Sequence, residues 1–248
     1  MNSGAATQSI AVLPGQTYNP GAPNLAAAVT GSATAQVAGS GFNADVRAVD
    51  AFFNTVTSIN SSIDVNTTDP SDTEPSASTF TSGTVTFAIQ PAAVGSALTI
   101  TGVSTFTDNT SSTYQVNPGG ASQIIVVLPG QTHNQGTASL AAAVTGTATT
   151  QIAGASFTAT VRAVDAFYNT TTDSSTAVSI TTDDANDTEP GGSTFTTGEE
   201  TFTVTNTTAG TRSITPNTVL STNNASSNYT LSPGATTQTI VVMAGQTY

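Results

Sequence analysis

The sequence predicts an all-β chain of two tandem sandwich domains, followed by the opening strand of a third. Three observations carry that expectation: a long internal repeat, apolar residues recurring at period two between turn residues, and no segment of ten or more residues with a helical period. The phrase SIAVLPGQTY near the start returns as IIVVLPGQTH and again as IVVMAGQTY, and Leu13, Leu128 and Met243 lie 115 residues apart in turn. VRAVDAFFNT from Val46 to Thr55 returns as VRAVDAFYNT from Val161 to Thr170, and Asp69, Asp72, Glu74 and Pro75 return as Asp184, Asp187, Glu189 and Pro190. Solenoid units are 20 to 50 residues long and lean on their neighbours, whereas about 115 residues can close a core of their own. The expected division is residues 1–118 as sandwich repeat 1, 119–233 as repeat 2, and 234–248 as the first strand of a third repeat, orphaned or donated.

The strands follow in order. In the second copy Phe157, Ala159, Val161 and Ala163 alternate with Thr158, Thr160 and Arg162, so one face is apolar and the other wet. Val178 and Ile180, Phe202 and Val204, and Tyr229 and Leu231 repeat the pattern; Ile63 and Val65, Phe87 and Ile89, and Tyr114 and Val116 answer them in the first copy. Asn117-Pro118-Gly119-Gly120 and Ser232-Pro233-Gly234 punctuate as turns. Leu140 to Val144 reads as one helical turn or as a second part of the first strand, and the strand is the expectation. Leu98 and Ile100 share a parity that Ile214, flanked by Arg212 and Pro216, breaks; a one-residue bulge or slip restores it. About seven strands in about 110 residues fits an immunoglobulin-like sandwich.

Composition limits function. The 248 residues include no Cys, no Trp, three cationic and fifteen acidic side chains, for a net charge of −12. Such a chain repels phosphate backbones, so nucleic acid is not an expected partner. Only 7% of residues are charged, which leaves Thr, Ser and Asn to cover the surface, a habit of secreted repetitive β-proteins. No apolar run spans a bilayer and no signal-peptide pattern follows Met1, so a targeting segment is expected outside this sequence. Without Cys there is no disulfide stapling.

LPGQT, the stretch around VRAVDAFxNT, the acidic loop TTDDANDTEP, the following FTTG hairpin and AGTRSIT together resemble the tandem immunoglobulin-like repeats of very large bacterial surface and adhesin-type proteins. The resemblance covers both copies and the terminal fragment. It implies domains that serve mainly as spacers and occasionally as binders, at the cell surface or outside the cell. Adhesin domains of this shape are often locked by Lys–Asn isopeptide bonds, which a chain without lysine cannot form.

Few residues could carry chemistry. His133 is the single histidine, and Tyr18 and Tyr248 hold its place in the other copies, so no catalytic triad can be assembled and no enzyme is expected. The acidic loops invite calcium, which takes six to eight hard oxygen ligands. If the strand ending at Val164 runs toward the pole where its domain begins, Asp165, Asn169 and Asp173 sit there, and Asp183, Asp184, Asp187 and Glu189 sit at the opposite pole. Head-to-tail stacking would then bring Asp69, Asp72 and Glu74 toward Asp165, Asn169 and Asp173 as a calcium clamp. The alternatives are calcium within one copy, or solvated turn acids that bind nothing. Sequons at Asn60, Asn66, Asn109, Asn169, Asn186, Asn206, Asn224 and Asn228 admit glycan on outer faces. Arg47 and Arg162 hold one repeated outward position, with Asp45 beside Arg47, a pair worth little at a surface.

The expected role is a non-catalytic structural segment of an extracellular fibre, stalk or adhesin shaft of head-to-tail repeats, rigidified by calcium or by strand exchange. Its partners are neighbouring copies of itself or further repeats of the same polypeptide. An adhesive module for a glycan or protein, or an accessory domain of a secreted carbohydrate-active enzyme, is the alternative. Recognition loops diverge between copies and gather exposed aromatics. DAFFNT and DAFYNT barely differ, which favours structure over recognition.

Overall fold

Alternating burial builds both sandwiches. Strand Phe42–Val49 buries Phe42, Ala44, Val46 and Ala48 and turns Asn43, Asp45 and Arg47 the other way; Phe157–Val164 repeats the pattern position for position. The computed structural model describes residues 4–247, without the side chains of Ser96 and Ala97. In the first copy Gln8–Val12 lies between Thr107–Asp108, to which it is parallel, and Phe42–Val49, which continues the sheet to Thr84–Ile89. The opposite layer runs from Gln36–Val37, parallel to Tyr114–Asn117, through Gly95–Leu98 and its continuation Ile100–Val103 to Ser62–Thr67 and Ser78–Thr79. Between the layers lie Val46, Ile63, Phe80, Phe87, Ile100 and Tyr114, and the rings of Phe42 and Tyr114 meet edge to face at 5.4 Å. Phe80 is 1% exposed, a burial that stabilises by about 1.5–3 kcal/mol. The second copy reproduces each sheet, with Phe195 at the place of Phe80 and Phe157 against Tyr229 at 5.3 Å.

Leu140–Ala143, expected to extend the first strand, is a single helical turn, as is Leu25–Ala28. The cause is a cap in front of an alanine run: the Asn24 side chain accepts the Ala27 N–H at 2.9 Å, and Ser139 takes the N–H of Ala143 on its carbonyl at 2.9 Å. Val29 and Val144 then return the chain to strand.

The expected slip is present. Ile100 pairs with Thr67 and Ile214 with Thr182, so the second copy has lost one residue before this strand. The first copy absorbs its extra residue as a bulge between the pairs Tyr114–Leu98 and Val116–Gly95, whereas Gly210–Arg212 pairs regularly with Tyr229–Leu231. The residue is regained before Thr222, which pairs with Gln123 as Thr107 does with Gln8.

Residues 237–243, expected as a strand, form none, and Ile240, Val241, Val242 and Met243 are exposed. A strand requires a partner for its N–H and C=O groups, and the tight turn that follows it does not. Met243 N–H donates to Gln246 Oε1 and Gln246 N–H to Met243 O, each at 3.0 Å, and Leu13 with Gln16 and Leu128 with Gln131 form the same pair of bonds. Gly245, at φ 90°, holds the left-handed position of Gly15 and Gly130. Tyr248 lies outside the described residues.

By contact the chain divides into two compact units: Met1–Ser122 with Asn134–Ala143 and Val164–Thr172, and Gln123–His133 with Val144–Ala163 and Asp173–Tyr248. The division follows loops rather than the sequence period. The first unit thus includes two loops of the second sequence copy.

One core difference between the copies is testable. Tyr229 donates its hydroxyl to Asn206 Oδ1, while in the first copy Pro91 holds the position of Asn206 and the buried Tyr114 hydroxyl has no hydrogen-bond partner among the described residues. Tyr229→Phe leaves a buried amide oxygen without its donor and should cost about 1–3 kcal/mol in urea unfolding, whereas Tyr114→Phe should be neutral or stabilising.

Candidate functional site

The loop DAFxN, which follows the long central strand in each copy, is folded around its own aspartate. Asp50 Oδ1 accepts the N–H groups of Phe52 and Asn54, both at 2.9 Å, and Oδ2 accepts Gly4 N–H at 2.9 Å. Phe53 takes the left-handed conformation at φ 58°, turning its ring inward against Ala22, Ala28 and Val49. Asp165 does the same with Phe167 N–H at 2.9 Å, Asn169 N–H at 3.0 Å and Gly119 N–H at 2.8 Å, and Tyr168 sits at φ 59°. The carboxylate therefore ties the loop to the residue at which its copy begins. Burial pushes the Asp50 carboxyl up, but the donors of Asn54, Gly4 and Phe52 outweigh it and hold the group below the ordinary carboxylate range.

The acidic loop at the other end of each copy is built the same way. Asp69 accepts Ser71 N–H at 3.0 Å, Ala92 N–H at 2.8 Å and Ala93 N–H at 3.0 Å; Asp184 accepts Asn186 N–H at 3.1 Å, Thr207 N–H at 2.7 Å and Thr208 N–H at 2.8 Å. Thr67 anchors the rest, its hydroxyl donating to Asp72 at 2.8 Å and its N–H to Glu74 at 2.9 Å; Thr182 serves Asp187 and Glu189 identically. Burial, and then the neighbouring acids, raise Asp72 and Glu74 above their ordinary values, and burial followed by Asp187 raises Glu189.

Within the first unit, Asp69 and Asn169 grip the same short segment. Asn169 Nδ2 donates to Ala92 O at 2.8 Å, Asn169 Oδ1 accepts Val94 N–H at 3.3 Å, and the residue is 0% exposed. Gly39 N–H reaches Pro91 O at 2.7 Å, and the Phe167 ring lies so close to Gly39 that an added Cβ would approach it to 2.8 Å. Gly136 stands against Ala93 with the same intimacy, at 2.5 Å from a built Cβ. The segment Pro91–Val94 is what sequence reading missed; Pro-Ala-Ala-Val carries no chemical signal, because it acts through its amides.

Of the residues expected to hold calcium, Asp69 and Asn169 thus meet through a peptide segment. Asp165 is turned to Gly119 and its own loop, Asp72 and Glu74 are turned to Thr67, and Asp173 lies in the second unit, accepting Ser175 N–H at 2.9 Å and Thr176 N–H at 3.1 Å. N–H groups already point at the oxygens of Asp69, Asp165 and Asn169, and a cation placed there would face those protons. Among the described residues no three acidic, histidine or cysteine side chains come together as metal ligands. Of the sequons, Asn169 and Asn206 are fully buried and closed to glycan. Arg162 pairs with Glu199, and Arg47 stacks over the Tyr18 ring at 4.6 Å while Asp45 accepts from Thr86. No helix among the described residues is long and apolar enough to cross a membrane.

No family model matches the chain, and neither does any curated protein. Solved structures similar to it include the D00-D0 domain of Intimin, at 12% identity over 90% of this chain and 99% of that one, with a TM-score of 0.40. The D0-D1 domain of Intimin matches at 13% identity over 80% and 94%, with a TM-score of 0.32, and the Yersinia pseudotuberculosis adhesin InvE at 12% over 80% and 56%, with 0.33. The sheets described above make the fold class all-β, in tandem immunoglobulin-like sandwiches.

Proposed function

We propose that the chain is a non-catalytic structural segment of an extracellular shaft or stalk that carries tension through tandem immunoglobulin-like sandwiches. The observation that carries this reading is the direction of the outermost pairings. In the first copy Gln36–Val37 runs parallel to the last strand, Tyr114–Asn117, and in the second Gln151–Ile152 runs parallel to Tyr229–Ser232. Tension on the ends of a copy reaches Gln8–Val12 first, itself parallel to Thr107–Asp108, and then Gln36–Val37; strands that run parallel in this way slide past one another, so the hydrogen bonds of each pair break together rather than one at a time. The polar groups of the loops support the same reading, since they are engaged with the chain's own amides. Single-molecule stretching should give two separate force peaks, each releasing about 400 Å of chain for a 115-residue copy at roughly 3.6 Å per residue. Extension without peaks would defeat the mechanical role.

Reading the acidic loops as holders of backbone rather than of calcium gives two further expectations. Thermal unfolding in calcium and in chelator should coincide; a higher melting temperature with calcium would restore the ion clamp, because a ligand of the folded state stabilises by mass action. The second concerns Asp184, which is 3% exposed. Burial raises its carboxyl, but the donors of Thr208, Thr207 and Asn186 prevail and hold it well below the ordinary range. A depressed folded value means that the contribution is fully present above the unfolded value, about 3.9, and is lost as pH falls toward the folded one. Asp184→Asn should therefore lower the urea midpoint at pH 7, with the gap to wild type narrowing below about pH 4; a gap of constant size would show that the charge does not matter.

A further inference from the structure

The loop Phe167–Asn169 and its receiving segment Pro91–Val94 each have a counterpart 115 residues away whose surface is open. Phe52 and Asn54 correspond to Phe167 and Asn169; Phe52 is 64% exposed, whereas Phe167 is half-buried and Asn169 wholly so. Around Phe52 and Asn54 opens a cleft of about 1270 Å³, lined also by Tyr18, Pro20, Gly21 and Asp50. On the receiving side, Thr207, Thr208 and Ala209 correspond to Ala92, Ala93 and Val94, and Gly154 to Gly39. Ala92 and Ala93 are buried, whereas Thr207 and Ala209 are exposed, and nothing lies within 4 Å of a Cβ built on Gly154.

We propose that these two open surfaces dock on one another between molecules, so that the Phe52–Asn54 loop of one copy of this chain seats on Gly154 and Thr207–Ala209 of a second copy. The proposal rests on the structural reading above and names the partner that reading requires. Its warrant is that the chain already makes this joint once, inside the first unit, from sequence-equivalent parts. Gly154, at φ 82°, leaves the space that the Phe52 ring needs, as Gly39 does for Phe167. Asp184 fixes the N–H groups of Thr207 and Thr208, as Asp69 fixes those of Ala92 and Ala93, which presents the receiving segment in the same conformation. Asn54 is held by Asp50 at 3.1 and 3.2 Å just as Asn169 is held by Asp165, so its amide is already oriented for the Thr207 carbonyl. Thr208 in place of Ala93 makes this joint more polar than the internal one. The surfaces are different patches of one molecule, so the contact is heterologous and leaves an open end at each step.

Sedimentation of the intact chain across concentration tests it. Within one chain such a joint has the help of a millimolar effective concentration, so between molecules the Kd should be on the order of 0.1–1 mM. Wild type should sediment progressively faster as concentration rises, while Phe52→Ala, which removes the seated ring, and Ala209→Glu, which charges the seat, should each remain monomeric. Mixed together, the two variants should give a dimer and nothing larger, since each retains one intact surface. A wild type that stays monomeric, or a Phe52→Ala protein that still associates, overturns the docking; in the second case the exposed stretch Ile240–Met243 would be the cause. Monomeric wild type with two force peaks would sink the docking alone, and self-association without peaks would sink the mechanical reading alone.

Discussion

The DAFxN loop and the acidic loop of each copy are organised by a buried aspartate accepting main-chain N–H groups. Asp50, Asp69, Asp165 and Asp184 are each nearly inaccessible to solvent, and each collects three or more amide donors. A carboxylate buried without compensation would be intolerable, and a chain with three cationic side chains cannot compensate by ion pairing. Peptide dipoles do it instead. The arrangement has a geometric by-product that an arginine would not give, since several amides converging on one carboxylate fix the path of the backbone on both sides of it.

That by-product explains why sequence repetition and loop geometry agree so closely here. The left-handed residue in DAFxN is a phenylalanine in one copy and a tyrosine in the other, residue types that seldom adopt positive φ. The aspartate three positions earlier holds it there, and the ring gains a buried site in return. Neither the loop nor its position on the sandwich depends on divergence between the copies.

Much of the fold was legible because period-two alternation and a long repeat are both written in side chains. The core positions from Phe42 to Val116 and from Phe157 to Leu231, the two faces of the central strands, and the slip near Ile214 follow from parity alone. The helical turn at Leu140 was open to reading from Ser139 and three alanines, but four residues are too few to display a period. The site was less legible. Aspartates and an asparagine at two poles were evident, yet what they hold is backbone, and backbone looks the same in every sequence. Pro91–Val94 could not have been found from residue chemistry, and the apolar stretch from Ile240 to Met243 announced a strand whose existence depends on a neighbour that sequence does not supply.

The bulge at Gly95–Leu98 bears on how two near-identical sandwiches sort their strands during folding. Tandem copies invite misassembly, in which a strand from one completes the sheet of the other. If Gly210–Arg212 were placed beside Tyr114–Asn117, the ladder would lose its bulge and Arg212 would stand against Tyr114, where the first copy packs the buried Leu98. The converse exchange would carry one residue too many into a regular ladder. One displaced residue and an arginine in place of a leucine thus make otherwise interchangeable segments distinguishable, and they penalise the mismatched product instead of relying on the order in which the copies form.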